Sequence, residues 1–237
     1  MSAPQAPPEG EQHQAERPAA VFFDFAAAFP SLAHDFLLDV LDHLQLPRQF
    51  RAFVTNLYLG NGCRIAAAGD THEGCSIRAG IRQGCPLSPL LFALCGDLLL
   101  RRLHHLLPGD VCRAYADDIG LVCKDVFASA QRFVPAFEGF SMISGLAFNL
   151  GKTVFIPLGD DTLQEFRRGL ESRFAGWGAA GVRWWADYLG FTLGLDCQNR
   201  SWRKALLQFT RRTDLWAQLG LGLHYTSVAY NVYIASL

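Results

Sequence analysis

The spacing of apolar residues changes along this chain, and each change marks an element. Residues 1–20 hold no large apolar side chain after Met1 and are rich in Pro, Gln, Glu and Ala, so they are expected to be disordered. Val21-Phe22-Phe23 starts abruptly as a β-favouring run with Asp24 near its end. Leu32, Phe36, Val40 and Leu44 recur at helical spacing, which predicts one helix capped by Ser31 and running to about 44. Pro47 opens a second helix ending near Asn61-Gly62, and 63–79 reads as a hairpin turning at Gly69-Asp70. Ser88 and Pro89 supply an N-cap and a first helical position. The helix they open is apolar on nearly all sides and is expected to be buried until Pro108-Gly109 ends it. A tight hairpin then pairs 111–116 with 119–123, carrying Asp117-Asp118 at its tip. A helix over 127–144, interrupted by Pro135, stops at Ser144-Gly145, and a strand or loop carries Asn149 and Lys152. Residues 184–194 alternate as another hairpin, and 202–219 reads as helix. Helices mixed with antiparallel hairpins make the class α+β.

Composition narrows the picture only in places. A length of 237 residues, half of them apolar and 12% aromatic, provides for one large domain, or one and a half small ones, with a sizeable core. The net charge of −1 favours no class of partner, so any footprint for nucleic acid has to be local. Residues 197–237 offer one, with Arg200, Arg203, Lys204, Arg211 and Arg212 against Asp214 alone. The same residues also suit an ordinary solvated helix face. Seven cysteines without a CxxC spacing, and no N-terminal secretory pattern, read as reduced, mostly buried thiols of an intracellular protein, nuclear or cytoplasmic. His104 and His105 are adjacent and diverge on a helix, which argues against zinc. No apolar run reaches 18 residues without a charge, so no membrane span is expected.

The chemistry concentrates in three segments: Asp24 inside an apolar strand, the glycine-bracketed turn Gly80-Ile81-Arg82-Gln83-Gly84-Cys85-Pro86-Leu87-Ser88, and Tyr115-Ala116-Asp117-Asp118. Carboxylates among apolar residues are costly to bury unless something neutralises them, and a divalent cation does so. Asp24 and Asp117 converge if their strands are neighbours in one sheet. Neighbouring side chains on a strand face opposite ways, so Asp117 is expected to point at Asp24, with Asp118 as a secondary ligand. Taken alone, the Asp pair is equally an ordinary turn.

In this order the three segments resemble motifs A, B and C of the reverse transcriptases of non-LTR (LINE-type) retrotransposons, with group II intron enzymes as more distant relatives. The resemblance runs from about 21 to 237. It implies a right-hand palm over 21–196, an antiparallel sheet with helices packed on one face, and the start of a helical thumb over 197–237. The implied activity is RNA-directed DNA synthesis by two Mg²⁺ ions, with Mn²⁺ as a substitute, held by Asp24, Asp117 and Asp118. The implied partners are an RNA template, a DNA primer and deoxynucleoside triphosphates. Phe29 matches the aromatic that excludes a 2′-hydroxyl by shape, while Phe25, Arg82, Gln83, Gly84 and Tyr115 match positions lining the nucleotide pocket. Lys152, in a segment resembling motif D, matches the lysine that protonates the leaving pyrophosphate. It is one of only three lysines beside eighteen arginines, and a general acid at this point calls for lysine rather than arginine. Residues 188–194 resemble the primer-gripping hairpin of motif E. Arg200, Arg203, Lys204, Arg211 and Arg212 match the onset of a thumb that tracks duplex phosphates.

Two departures stand out. Pro30 occupies the place where many family members carry a second acid. The family's fingers region precedes motif A, where this chain has residues 1–20, so the chain is expected to be a truncated copy or to take its fingers and endonuclease regions from a longer parent polypeptide. A catalytically inactive, nucleic-acid-binding remnant is the alternative. A metal-dependent nuclease explains the acids but not Phe29, Arg82-Gln83-Gly84 or Lys152.

Overall fold

The structure, a computed structural model, describes residues 16–195, 197, 200–220 and 222–234. Most of the segment expected to be disordered lies outside that range, but its end is ordered. Ala19 and Ala20 are buried strand residues, and the Arg17 carbonyl accepts the Val126 N–H at 2.9 Å. The expected boundary between palm and thumb, at 196–197, also falls where the description is interrupted.

The chain runs β1 (Ala19–Phe23), α1 (Ala28–Ser31), α2 (His34–His43) and α3 (Arg48–Tyr58), then a hairpin of β2 (Gly62–Ala67) and β3 (Asp70–Ser76). After α4 (Ser88–Leu106) comes the hairpin of β4 (Val111–Tyr115) and β5 (Asp118–Cys123), followed by α5 (Val126–Ser144), β6 (Val154–Pro157) and α6 (Leu163–Arg173). A 3-10 turn (Ala175–Trp177) leads to β7 (Gly181–Val182) and the hairpin of β8 (Trp185–Tyr188) and β9 (Phe191–Gly194). The last elements are α7 (Arg200–Ala217), α8 (Leu223–Ala229) and a π-helical turn (Tyr230–Ile234).

Five strands form one sheet in the order β4-β5-β1-β6-β7, antiparallel except for the last pair. Alternation sorts its residues between two faces. Val21 and Phe23 of β1, Ile119 and Leu121 of β5 and Phe155 of β6 point into the main core, which the helices cover. At its centre the rings of Phe23, Phe133, Phe137, Phe148 and Trp177 lie 4.3–6.2 Å apart. On the opposite face Ala20, Phe22, Val154 and Ile156 meet Ala186 of β8 in a small second cluster. Helices therefore pack on one face, as expected, while a hairpin lies against the other.

Two helices depart from expectation for identifiable reasons. The single helix capped by Ser31 is broken at Leu32-Ala33, where both residues are extended. Their backbone is drawn into pairing with a distant segment: Gly80 N–H donates to Leu32 C=O at 2.8 Å, His34 N–H to Arg78 C=O at 3.0 Å, and Ala33 bridges Ala79. Tertiary hydrogen bonds outweigh local propensity here. In α4 the N-cap is Leu87 and Ser88 is already helical, because its hydroxyl donates to the Arg82 carbonyl at 2.6 Å instead of capping. Nor is α4 buried all round; Leu91, Phe92, Cys95, Leu99 and Leu103 face the core while Leu90 is exposed. Sequence analysis missed α6 altogether, although Thr162 and Glu165 form a capping box that its spacing spells out.

Candidate active site

The pairing of β1 with β5 decides which acids meet. Phe23 stands opposite Ile119 and Phe22 opposite Gly120, so the same register carried one step on sets Asp24 opposite Asp118. Alternation turns both away from the helical core, together with Phe22 and Gly120. Ala116, at φ 51°, makes the turn between β4 and β5, and Asp118 is already the first residue of β5, paired with Tyr115. Asp118 rather than Asp117 is thus the acid brought to Asp24, the reverse of the expected order. The difference arises because the two-residue turn sits one residue earlier than expected, at Ala116-Asp117 instead of Asp117-Asp118. Asp117 stays adjacent, and its charge acts on Asp118.

A second segment fixes Asp24 from the other side. Asn149 N–H donates to the Asp24 carbonyl at 2.7 Å, Ala26 N–H to the Ala147 carbonyl at 2.8 Å, and Phe25 bridges Phe148. The turn that follows, with Lys152 and Thr153 N–H both on the Asn149 carbonyl, swings Lys152 back over the acid. Its Nζ lies 3.5 Å from Asp24 Oδ2. That oxygen is buried without a hydrogen bond, so the lysine is a charge neighbour rather than a bonded donor. Partial burial first, and then the charges of Asp117 and Asp24, push the Asp118 carboxyl above the ordinary carboxylate range. The Tyr188 phenol is likewise raised, by burial and by the charge of Asp118.

Asp24, Asp118 and Lys152 line a cavity of 440 Å³ with Arg183, Asp187 and Tyr188. Tyr188 stacks on Phe22 at 4.8 Å, and its hydroxyl donates to the Asp118 carbonyl at 3.4 Å. Glycine at 120 leaves room for that stack, since a Cβ there would stand 3.3 Å from the Phe22 ring. Sequence analysis did not single out Arg183 or Asp187; neither sits in a patterned motif, and only the fold of β8 brings them to the acids.

The polar turn between Gly80 and Ser88 is held against the first acid's segment. Ile81 N–H donates to the Phe29 carbonyl at 2.8 Å, and His34 Nε2 donates to the Gly80 carbonyl at 2.8 Å. Gly80 has φ +95°, and a Cβ there would meet the Pro30 carbonyl oxygen at 2.9 Å, so glycine is required. Arg82, Gln83 and Gly84 are exposed along this turn, the Arg82 guanidinium donating to the Leu57 carbonyl at 3.2 Å. Phe29 is half-buried and stacks flat on Phe92 at 5.0 Å. Phe25 is a correction: only 7% exposed and packed on Phe148 at 4.4 Å, its ring belongs to the core rather than to a nucleotide pocket. Tyr115 is 70% exposed beside the acids.

The basic residues of α7 divide. Arg200 lies over the Trp185 ring at 4.7 Å, and Arg203 and Lys204 line a cavity of 720 Å³ with Trp185, Asp187 and Thr192. Ser201 ties α7 to β9, accepting the Thr192 N–H at 2.7 Å. Arg211 is exposed farther along, and Arg212 donates to the Tyr233 carbonyl at 2.7 Å.

The donor set of Asp24, Asp117 and Asp118 is all hard oxygen, and the unbonded Asp24 Oδ2 with the strained Asp118 suits a hard divalent cation. Among the described residues no three His, Cys, Asp or Glu side chains stand preassembled as a metal cage.

A family model described as "Reverse transcriptase (RNA-dependent DNA polymerase)" matches residues 4–193. The Pol polyprotein of the type-2 retrotransposable element R2DM of Drosophila melanogaster is 33% identical over 135 residues, covering 54% of this chain and 13% of that protein. The Pol polyprotein of a type-1 element R2 of Nasonia vitripennis is 36% identical over 107 residues, 43% of this chain and 10% of that one. The chain thus spans only about a tenth of these curated relatives. Among solved structures, telomerase from Candida tropicalis bound to a fragment of telomeric RNA superposes with a TM-score of 0.58 at 9% identity, covering 87% of this chain and 35% of that one. The same enzyme in its apo form gives 0.55 at 12% identity, over 76% and 31%. The likeness to telomerase concerns the fold alone.

Proposed function

This chain belongs to the reverse transcriptase family, and from that membership we propose that it is the palm, with the start of a thumb, of a retrotransposon's RNA-directed DNA polymerase. The observation that carries the reading is the cross-strand meeting of Asp24 and Asp118, with Lys152 over Asp24, on the sheet face away from the helices.

Asp24, Asp117 and Asp118 are the residues to hold Mg²⁺. Bound there, divalent ions supply positive charge for a primer 3′-oxygen and for the triphosphate. The chain's own residues do the rest. Lys152, flexible and 68% exposed, has the reach to give a proton to the leaving pyrophosphate. Phe29, held flat by Phe92, presents a wall of fixed shape to the sugar. The turn pinned by His34 and Ser88 holds Arg82, Gln83 and Gly84 open to the nucleotide. Hairpin β8–β9 and the first turns of α7 offer Arg203 and Lys204 to the primer–template backbone. A longer polypeptide would bring the fingers.

The test is single-nucleotide extension of a DNA primer on RNA in Mg²⁺. It is run on these 237 residues and on the chain joined to the upstream region of an R2 relative. Extension is expected from the joined form and near background from the 237 residues, with Asp24→Asn and Asp118→Asn each lowering it by at least about 10²-fold. Extension that survives Asp24→Asn would overturn the assignment. Tight primer–template binding without extension in either form would favour the non-catalytic remnant.

A further inference from the structure

Outside the acid site, two cysteines meet on the β2–β3 hairpin. Cys63 Sγ and Cys75 Sγ stand 3.5 Å apart across the two strands. The register shows why: Gly62 pairs with Ser76 but Arg64 with Glu73, so Cys63 alone faces both Gly74 and Cys75 in a bulge. The bulge is shaped around sulfur. A Cβ at Gly74 would collide with Cys63 Sγ and with its carbonyl, and Cys63 Sγ accepts the Cys75 backbone N–H at 3.1 Å. The Cys75 thiol is held above its ordinary value, first by its hydrogen bond to Cys63.

The hairpin gains little from packing, since every residue of both strands except Cys63 is exposed, Ile65 at 55% among them. Two isolated strands are marginal in water. Yet β3 runs directly into functional backbone: Arg78 accepts the His34 N–H, Ala79 bridges Ala33, and Gly80 opens the turn that carries Arg82, Gln83 and Gly84.

We propose that Cys63 and Cys75 are a built dithiol site that closes reversibly to a disulfide by exchange with a small-molecule disulfide such as oxidised glutathione, fixing the strand that feeds the Gly80–Ser88 turn. One thiolate attacks a sulfur of oxidised glutathione, forms a mixed disulfide and releases one glutathione thiolate. The second cysteine, as thiolate, attacks the protein-bound sulfur, forms the Cys63–Cys75 bond and expels the second glutathione. Two electrons pass from the cysteine pair to the oxidant, and two protons leave with them. The sulfurs already lie side by side, so closure draws them from 3.5 Å to bonding distance across the bulge. A metal is the poorer occupant: among the described residues no third donor joins the pair.

The experiment equilibrates the folded 237-residue chain in reduced and oxidised glutathione at graded ratios, then blocks the remaining thiols with iodoacetamide in denaturant and maps tryptic peptides. Cleavage after Arg64 separates the two cysteines, so the linked peptides 52–64 and 65–78 are diagnostic. The linked form is expected at ratios that leave the other cysteines alkylated. It should vanish in Cys63→Ser and in Cys75→Ser, the surviving partner then carrying glutathione. Unfolding in urea should lower the linked fraction at matched ratios by about tenfold or more, because the fold rather than the short intervening loop sets the effective concentration. Equal linkage in folded and unfolded chain, or glutathione adducts at both positions without the link, would overturn the proposal.

Discussion

Asp118 carries the tension of the site. Its carboxyl is raised by partial burial and by two like charges, so ionisation opposes folding, and the penalty grows as pH rises through its folded value. Asp118→Asn is therefore expected to raise Tm at pH 7 in the absence of divalent ions, by only about 1–2 °C because water screens a half-exposed carboxylate. Mg²⁺ should raise Tm of the wild-type chain and lose most of that effect in the variant; thermal scans with and without Mg²⁺ check both. Cysteine reactivity gives a second check at this scale. Burial pushes the thiols of Cys95 and Cys123 up to about 12 and of Cys112 to about 11, whereas the Leu87 backbone N–H at the start of α4 lowers that of Cys85. Timed iodoacetamide labelling near pH 7.5 should modify Cys85 first and leave Cys95 and Cys123 unlabelled until the chain unfolds. Only Cys95 and Cys123 are buried, so the reading of mostly buried thiols was too broad. Residue identity was legible at Asp24 and Lys152, where an acid and a rare lysine break the local pattern. Which of two adjacent acids faces Asp24 was not, because it depends on the turn's position to a single residue.

Elements were legible where their signals are local. Gly145, at φ 75°, ends α5 as its sequence announces, and the Asp125 side chain caps it by accepting Phe127 N–H. The break between α1 and α2 was hidden because its cause lies some 45 residues away, in the backbone of Arg78 to Gly80. Phe137 shows how an element serves the site without touching it. On α5 it packs at 4.5 Å on Phe23, the residue before Asp24, and at 4.3 Å on Phe148, the residue before Asn149. Phe137→Ala is expected to cost about 3–5 kcal/mol of stability, measured by urea unfolding, because a ring at 1% exposure leaves a cavity that its neighbours cannot fill. The buried His34 acts more narrowly. Its ring hydrogen bond to the Gly80 carbonyl ties α2 to the Gly80–Ser88 turn, and its Nδ1 has no partner among the described residues.

For the whole molecule, charge is local where the total is nearly neutral. With Arg203 and Lys204 at the cavity beside β8–β9, their double replacement by alanine should lower the slope of log affinity for primer–template against log salt by about 1.5–2. Fluorescence anisotropy across a salt series reads this directly. α7 buries no residue and leaves Trp202, Leu206, Leu207 and Leu215 in water, so the chain by itself is also expected to self-associate at micromolar concentration, visible by light scattering. Fold class was legible, because helical and strand periodicities alternate along the chain as an α+β fold requires. The attachment of the β8–β9 hairpin was not, since it rests on so few residues. Its hold on the sheet is the cluster of Ala20, Val154, Ile156 and Ala186 with the Phe22–Tyr188 stack, against some thirty-five buried residues on the helical face. The two sides of the acid pocket consequently belong to different tiers of opening. Amides of β1 and β5, at its floor, should exchange with deuterium only through global unfolding, while those of β8 and β9, at its wall, exchange through a local excursion of far lower free energy. A pocket with a locked floor and a breathing wall can keep its acids in register while the wall opens and closes beside them.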